Sequence, residues 1–212
     1  MDILSRLVES LNDIVDRHLD EIEVLILKVF SQYGCISIYR AANLTGIPIS
    51  TTYKKARRLI EQELLRVETT CSYRITVKGL LYCVAEDRES APYMINRIKL
   101  IWKLNSKFEE ICAYLLLLAK ALKTQNMKIS QLPSLDSIKD TYRYILIPLI
   151  TFMIEYSNKI EYLNNIEEII ASALNVDTEI VKMCSKIINN IISNYLLKSL
   201  LKVLELVSEK NK

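Results

Sequence analysis

Apolar positions recur at helical spacing along most of the chain, with one interruption. Leu4, Leu7, Leu11, Ile14 and His18 follow one another at alternating intervals of three and four, widened by Ile3, Val8 and Val15. Charges occupy the opposite face, so residues 1–19 are expected to form an amphipathic helix. DEIEVLILKVFSQ predicts a second helix, Asp20 to Gln32, with Ile22, Leu25, Ile26 and Val29 on one side and Tyr33-Gly34 ending it. Ser37 is placed to cap a third, Ile38 to Thr45, whose Ala41 and Ala42 permit a close neighbour. Gly46 turns the chain and Pro48 bars the helix from continuing. Ser50 is then placed to cap a fourth helix, Thr51 to about Glu63.

At this point the period changes to two. In LRVETTCSYRIT, Val67, Tyr73 and Ile75 are expected inward and Arg66, Glu68, Ser72 and Arg74 outward, on two short strands around Thr69 to Cys71. Thr76 is placed to cap the helix VKGLLYCVAED. RESAP, residues 88–92, is polar, short and ends in proline, which marks it as a boundary between two units. Helical spacing then resumes. One long helix is expected from about Tyr93 to Leu122, with Ile95, Ile98, Ile101, Trp102, Phe108, Ile111, Leu115 and Leu118 inward. A polar loop, Lys123 to Ser134, precedes a helix from about Leu135 to Leu163 that Pro148 should kink. Ile166 to Leu174 and Thr178 to Val207 complete the pattern. The expected fold is mainly α: an N-terminal helix (1–19), a hairpin-bearing unit (20–90) and an all-helical region (91–212).

Composition agrees with that class. Half of the 212 residues are hydrophobic and only three are glycine, which favours helices. The formal net charge of +3 identifies no partner, but its distribution does. Residues 1–35 carry a balance of −4, residues 36–78 one of +5, and the remainder is near neutral. Positive charge is thus concentrated on the segment containing the Gly46 turn and the strands. Five scattered cysteines without a CxxC pair suggest reduced thiols in a cytoplasmic protein rather than a disulfide or zinc framework. MDILSRLVES is acidic and amphipathic, unlike a signal peptide. YILIPLITFMI, Tyr144 to Ile154, is about half of the roughly 20 residues that span a bilayer and is expected to be a core helix. No phosphate-binding glycine loop or HExxH is present, His18 lacks a nucleophile partner, and the neighbours Glu109-Glu110 and Glu167-Glu168 diverge on a helix. No enzyme, cofactor or metal site is expected.

The chemistry lies on the fourth helix. Thr52, Ala56, Leu59 and Ile60 share one face for packing; the other presents Thr51, Tyr53, Lys54, Arg57 and Arg58, with Lys55 at the edge. Long cationic donors and short hydroxyls near a helix start suit phosphates and base edges. AANLTGIPISTTYKKARRLIEQELLRV resembles the helix, glycine turn and recognition helix of winged helix-turn-helix transcription regulators of the MarR and PadR type, especially archaeal ones. YRITVKGLLYC is similar to their second wing strand and the threonine-initiated helix after it. The resemblance covers residues 20–87 and departs from the family at Thr52 and Lys55, where many relatives carry aliphatic residues. It implies that Ser50, Thr51, Tyr53, Lys54, Arg57 and Arg58 contact bases and phosphates, and that Arg66, Ser72 and Arg74 act on the wing.

The partner so implied is double-stranded DNA; the alternative is a winged helix serving as a protein-interaction scaffold. A homodimer is expected, its seam on Leu4, Leu7, Leu11 and Ile14 or on the last helix through Ile191, Leu200 and Leu204. The helical region is expected to serve assembly or to receive a protein partner or small-molecule effector; no membrane partner is expected. Glu167 to Asn189 also reads as helix, turn, helix, but Asp177 and Glu179 would repel phosphate there, so a plain helical hairpin is the better reading.

Overall fold

The computed structural model describes residues 2–141, 143–144 and 166–189. Four helices, α1 (Ile3–Ile14), α2 (Glu21–Tyr33), α3 (Ile38–Thr45) and α4 (Ile49–Glu61), lead into an antiparallel hairpin of β1 (Leu65–Thr69) and β2 (Ser72–Ile75). Three more follow: α5 (Val77–Glu86), α6 (Ala91–Ile101) and α7 (Phe108–Thr124). A single 3₁₀ turn at Ile129–Gln131, a short helix at Ile138–Thr141, a helix at Ile166–Leu174 and a helical segment at 178–189 complete the described chain.

Side chains fix several of these boundaries. Asp20 accepts from the Glu23 amide at 2.9 Å while the Glu23 carboxylate accepts from the Asp20 amide at 3.2 Å, a reciprocal cap that starts α2. Ser37 caps α3 by accepting from the Arg40 amide at 3.1 Å, and Thr76 caps α5 through the Gly79 amide at 3.0 Å. The expected cap at Ser50 is not used. Pro48 itself takes the cap position, its carbonyl accepting the Thr52 amide at 2.9 Å, so Ser50 is the second residue of the helix and exposed. Proline presets the dihedral a helix start needs.

The N-terminal helix is shorter than its apolar stripe. It ends at Ile14, and His18 lies outside it, largely exposed, 3.0 Å from a Glu86 oxygen. Leu7, Leu11 and Ile14 are fully covered by their own chain, where α1 lies against α7 and α5. Each such side chain contributes roughly 1.5–3 kcal/mol on burial. The single long helix expected over Tyr93 to Leu122 is two helices. Lys103 takes a left-handed φ of 54°, and the Leu104 amide reaches back to the Lys99 carbonyl at 3.0 Å, closing α6. Glu110 then accepts from the Lys107 amide at 3.1 Å and opens α7. The stretch at residues 88–92 is a tight turn that leads into α6. One continuous apolar cluster runs from Leu7 to Ile188, and α7 is buried without interruption from Ile111 to Ala119 at its centre.

The hairpin register pairs Leu65 with Ile75, Arg66 with Arg74 and Val67 with Tyr73, and a bulge separates Val67 from Thr69. Only its base is in the core: Leu65 and Ile75 are buried, whereas Val67, expected inward, is 56% exposed. Ile36 bonds to Tyr73 on the β2 side, at 2.8 and 3.1 Å, and leaves β1 as the open edge. α5 meets the hairpin at Gly79, where a Cβ would stand 2.3 Å from the Leu64 carbonyl oxygen. Only glycine permits that approach. Ile166–Leu174 and 178–189 are joined by a turn that uses Asn175 at φ 51°, and Asp177 pairs with Arg6 at 2.5 Å. The kink at Pro148, most of the expected core helix over Tyr144 to Ile154, and Ile191, Leu200 and Leu204 lie outside the described residues.

Candidate functional site

α4 divides as its sequence requires. Thr52, Ala56 and Leu59 are buried, while Ser50, Tyr53, Lys54, Arg57 and Arg58 are exposed and Thr51 is half-buried. Ser50, Thr51, Lys54, Lys55 and Arg58 line a shallow concavity of about 460 Å³. The four cations of the helix differ in availability. Lys54 makes no ion pair or hydrogen bond among the described residues. Arg57 reaches only Glu61, one turn on, at 3.1 Å with both groups in solvent. Such a pair contributes about 0.3–0.5 kcal/mol and yields readily to a competing anion.

Lys55 and Arg58 face a buried carboxylate. Glu23 is wholly enclosed and takes a forked contact from Arg17 at 2.8 and 2.9 Å, with Arg58 at 3.7 Å and Lys55 at 3.8 Å. Three cations around one enclosed anion offset its desolvation. Lys55 also binds Asp20 directly; burial alone would raise the Asp20 carboxyl, but the Lys55 ammonium and the Glu23 amide hold it below its ordinary range. With its side chain only 22% exposed, Lys55 is a structural tie between α2 and α4 rather than a free donor. Arg58 remains 53% exposed and keeps donors for an outside partner.

The hairpin cations are held more firmly than the sequence suggests. Arg66 reaches Asp136 at 2.8 Å and Glu68 at 3.1 Å; Arg74 reaches Glu68 at 3.3 Å and Asp136 at 3.5 Å. Two arginines directly opposite on neighbouring strands would repel, and the two carboxylates between them remove that cost. Ser72 is turned to Thr69, 2.5 Å between hydroxyl oxygens. Arg66, Ser72 and Arg74, expected to point outward toward a partner, are therefore engaged within the chain. Glu23 is legible as part of a cap pattern three residues after Asp20. Asp136 is not: it is 70 residues from Arg66, and nothing local marks it. The structure also adds Arg40, exposed on α3 and set over the Tyr33 ring at 5.7 Å.

No protein-family model, curated protein or solved structure matches the chain. Among the described residues no cluster of His, Cys, Asp or Glu is arranged to hold a metal ion, and no helix is long and apolar enough to cross a membrane.

Proposed function

We propose that the chain is a DNA-binding transcription regulator of winged helix-turn-helix type that lays α4 in the major groove. The observation that carries this reading is the exposed row Ser50, Tyr53, Lys54, Arg57 and Arg58, set opposite the packed residues Thr52, Ala56 and Leu59. A helix about 10–12 Å across fits a groove about 12 Å wide. Lysine and arginine then meet phosphates and guanine edges, and the Ser50 hydroxyl lies near the helix start. α2 and α3 brace the helix from behind, through the Glu23 ties and the turn at Gly46, whose φ is 71°.

The test is a triple variant, Lys54→Ala, Arg57→Ala and Arg58→Ala. It should lose affinity for duplex DNA, flatten the log–log salt dependence by about 0.9 for each lost phosphate contact, and keep its helical signal. Unchanged affinity in a folded triple variant refutes the assignment of α4.

A second reading has its own support. Tyr39, Leu44, Ile49 and Tyr53 are exposed around the α3–α4 turn, and most of the nearby cations have carboxylate partners. Such a surface also suits a scaffold that docks a protein. Binding that is insensitive to salt would favour the scaffold. Homodimerisation enters the first reading because one module covers only about 600–1,000 Å² of DNA. With Leu7, Leu11 and Ile14 covered within the chain, the seam is assigned to the apolar pattern of Ile191, Leu200 and Leu204.

A further inference from the structure

The described molecule contains a segment that DNA binding by α4 does not require. After α7, residues 130–136 run as a strap across the start of α5 and the base of the hairpin. Lys78, almost wholly buried, donates its ammonium to the Ser130 carbonyl at 2.9 Å and the Leu132 carbonyl at 2.8 Å. The Lys78 amide donates to the Ser134 carbonyl at 2.9 Å, and the Trp102 indole N–H to the Leu135 carbonyl at 2.8 Å. Leu135 is fully buried yet sits at φ 58°, a conformation that leucine rarely adopts. The strap accepts that strain, and the residue it delivers is Asp136. One Asp136 oxygen caps α5 through the Val77 amide at 2.9 Å, and the other lies 2.8 Å from Arg66 and 3.5 Å from Arg74.

We propose that Asp136 is an internal substitute for a nucleic-acid phosphate, masking the hairpin arginines until the strap is displaced. Arg66, Arg74, Glu68 and Asp136 form a quartet of zero net charge, so the hairpin adds nothing to the attraction of a polyanion while the strap is in place. The lock is joined to the helical region, because the strap leads straight into Ile138–Thr141, where Thr141 meets the buried Tyr114 hydroxyl at 2.5 Å. Movement in that region is thereby carried to the charge of the hairpin. This regulation rests on the reading of α4 as the DNA-binding helix and adds a second, switchable contact to it.

The experiment compares the full-length wild type with Asp136→Asn, Glu68→Gln and Asp140→Asn, titrating each into one duplex of random sequence at several salt concentrations. Asparagine still accepts the Val77 amide, so the α5 cap survives while the quartet becomes +1. Asp136→Asn should bind about tenfold tighter at low salt, with a salt slope steeper by about 0.9. Glu68→Gln should do the same, and because the Glu68 side chain makes no backbone contact it keeps the test valid if Asp136→Asn is unfolded. Asp140→Asn changes net charge equally but touches neither arginine; it should match the wild type. Equal gains in all three variants would reveal a plain net-charge effect and overturn the proposal. Wild type that binds, with folded Asp136→Asn and Glu68→Gln unchanged, overturns the masking alone. If neither wild type nor these two variants bind at the lowest salt, the DNA reading and the proposal fail together.

Discussion

Cys83, Cys112 and Cys184 are fully buried, and burial pushes each thiol up to about 12 from an ordinary value near 9. A group whose folded-state pKa is raised contributes stability that is complete below its unfolded pKa and is lost as pH rises toward the folded one. All three thiols therefore act in the same direction between pH 9 and 12, because the unfolded chain releases protons that the folded chain retains. The slope is roughly 1.4 kcal/mol per thiol for each pH unit once the unfolded thiols are ionised. Lys78 works the other way: desolvation lowers its pKa from 10.5, so stability recovers as pH rises toward that value, but it is one group against the three thiols and the hydroxyls of Tyr82 and Tyr114, which burial also raises. Melting temperature should accordingly fall steadily above pH 9, and replacing the three buried cysteines with alanine should flatten that fall. A pH-independent melting point from 8.5 to 10.5 would contradict this account. The sequence shows five cysteines without a pairing pattern, yet it does not separate these three from the exposed Cys35 and Cys71. Burial is decided by which helices meet.

Element boundaries were legible where the signal was local. Ser37, Thr76 and the turn at Gly46 are short-range patterns, and each does in the structure what its residue type favours. Illegible were features set by distant partners: Val67 left exposed one pair beyond the covered base of the hairpin, and the break at Lys103 inside an unbroken apolar period. Pro48 replaced Ser50 as the start of α4 because two local signals competed and the proline dihedral won. Gly79 is the element-scale test. Alanine there would gain about 1 kcal/mol of helix propensity. It would also drive a methyl group to 2.3 Å from the Leu64 oxygen, a backbone atom that already accepts the Thr76 amide. Overpacking of this kind costs about 1–3 kcal/mol, so the sum is destabilising. Gly79→Ala should melt earlier than wild type, and an equal or higher melting temperature would mean that α5 and the hairpin base sit farther apart than described.

At the scale of the molecule, the sequence located the basic segment correctly but not its neutralisation. The +5 balance of residues 36–78 is real, yet Asp20 and Glu23 at the start of α2 and Asp136 from beyond α7 stand against part of it. Charge counted along a chain cannot register counter-charge brought in from 30 or 70 residues away. The same limit applies to the apolar stripe of α1, whose pattern suits its own chain or a second copy and which α7 occupies. What remains free on α4, chiefly Lys54 and Arg57 with part of Arg58, is smaller than the sequence promised and better defined.

Trp102 is the one tryptophan of the chain, it is 6% exposed, and its indole N–H rests on the Leu135 carbonyl next to Asp136. The molecule therefore carries its own optical probe at the strap. Lifting residues 135 and 136 would uncover the ring and exchange a carbonyl for water, which moves indole emission to longer wavelength and opens it to a soluble quencher. Native fluorescence should respond to any ligand that unlocks the hairpin, without a label. A ligand that tightens DNA binding while leaving the Trp102 spectrum unchanged would be acting by some other route. The unlocking signal can thus be sought in mixtures of unidentified small molecules, with the protein as the only reagent.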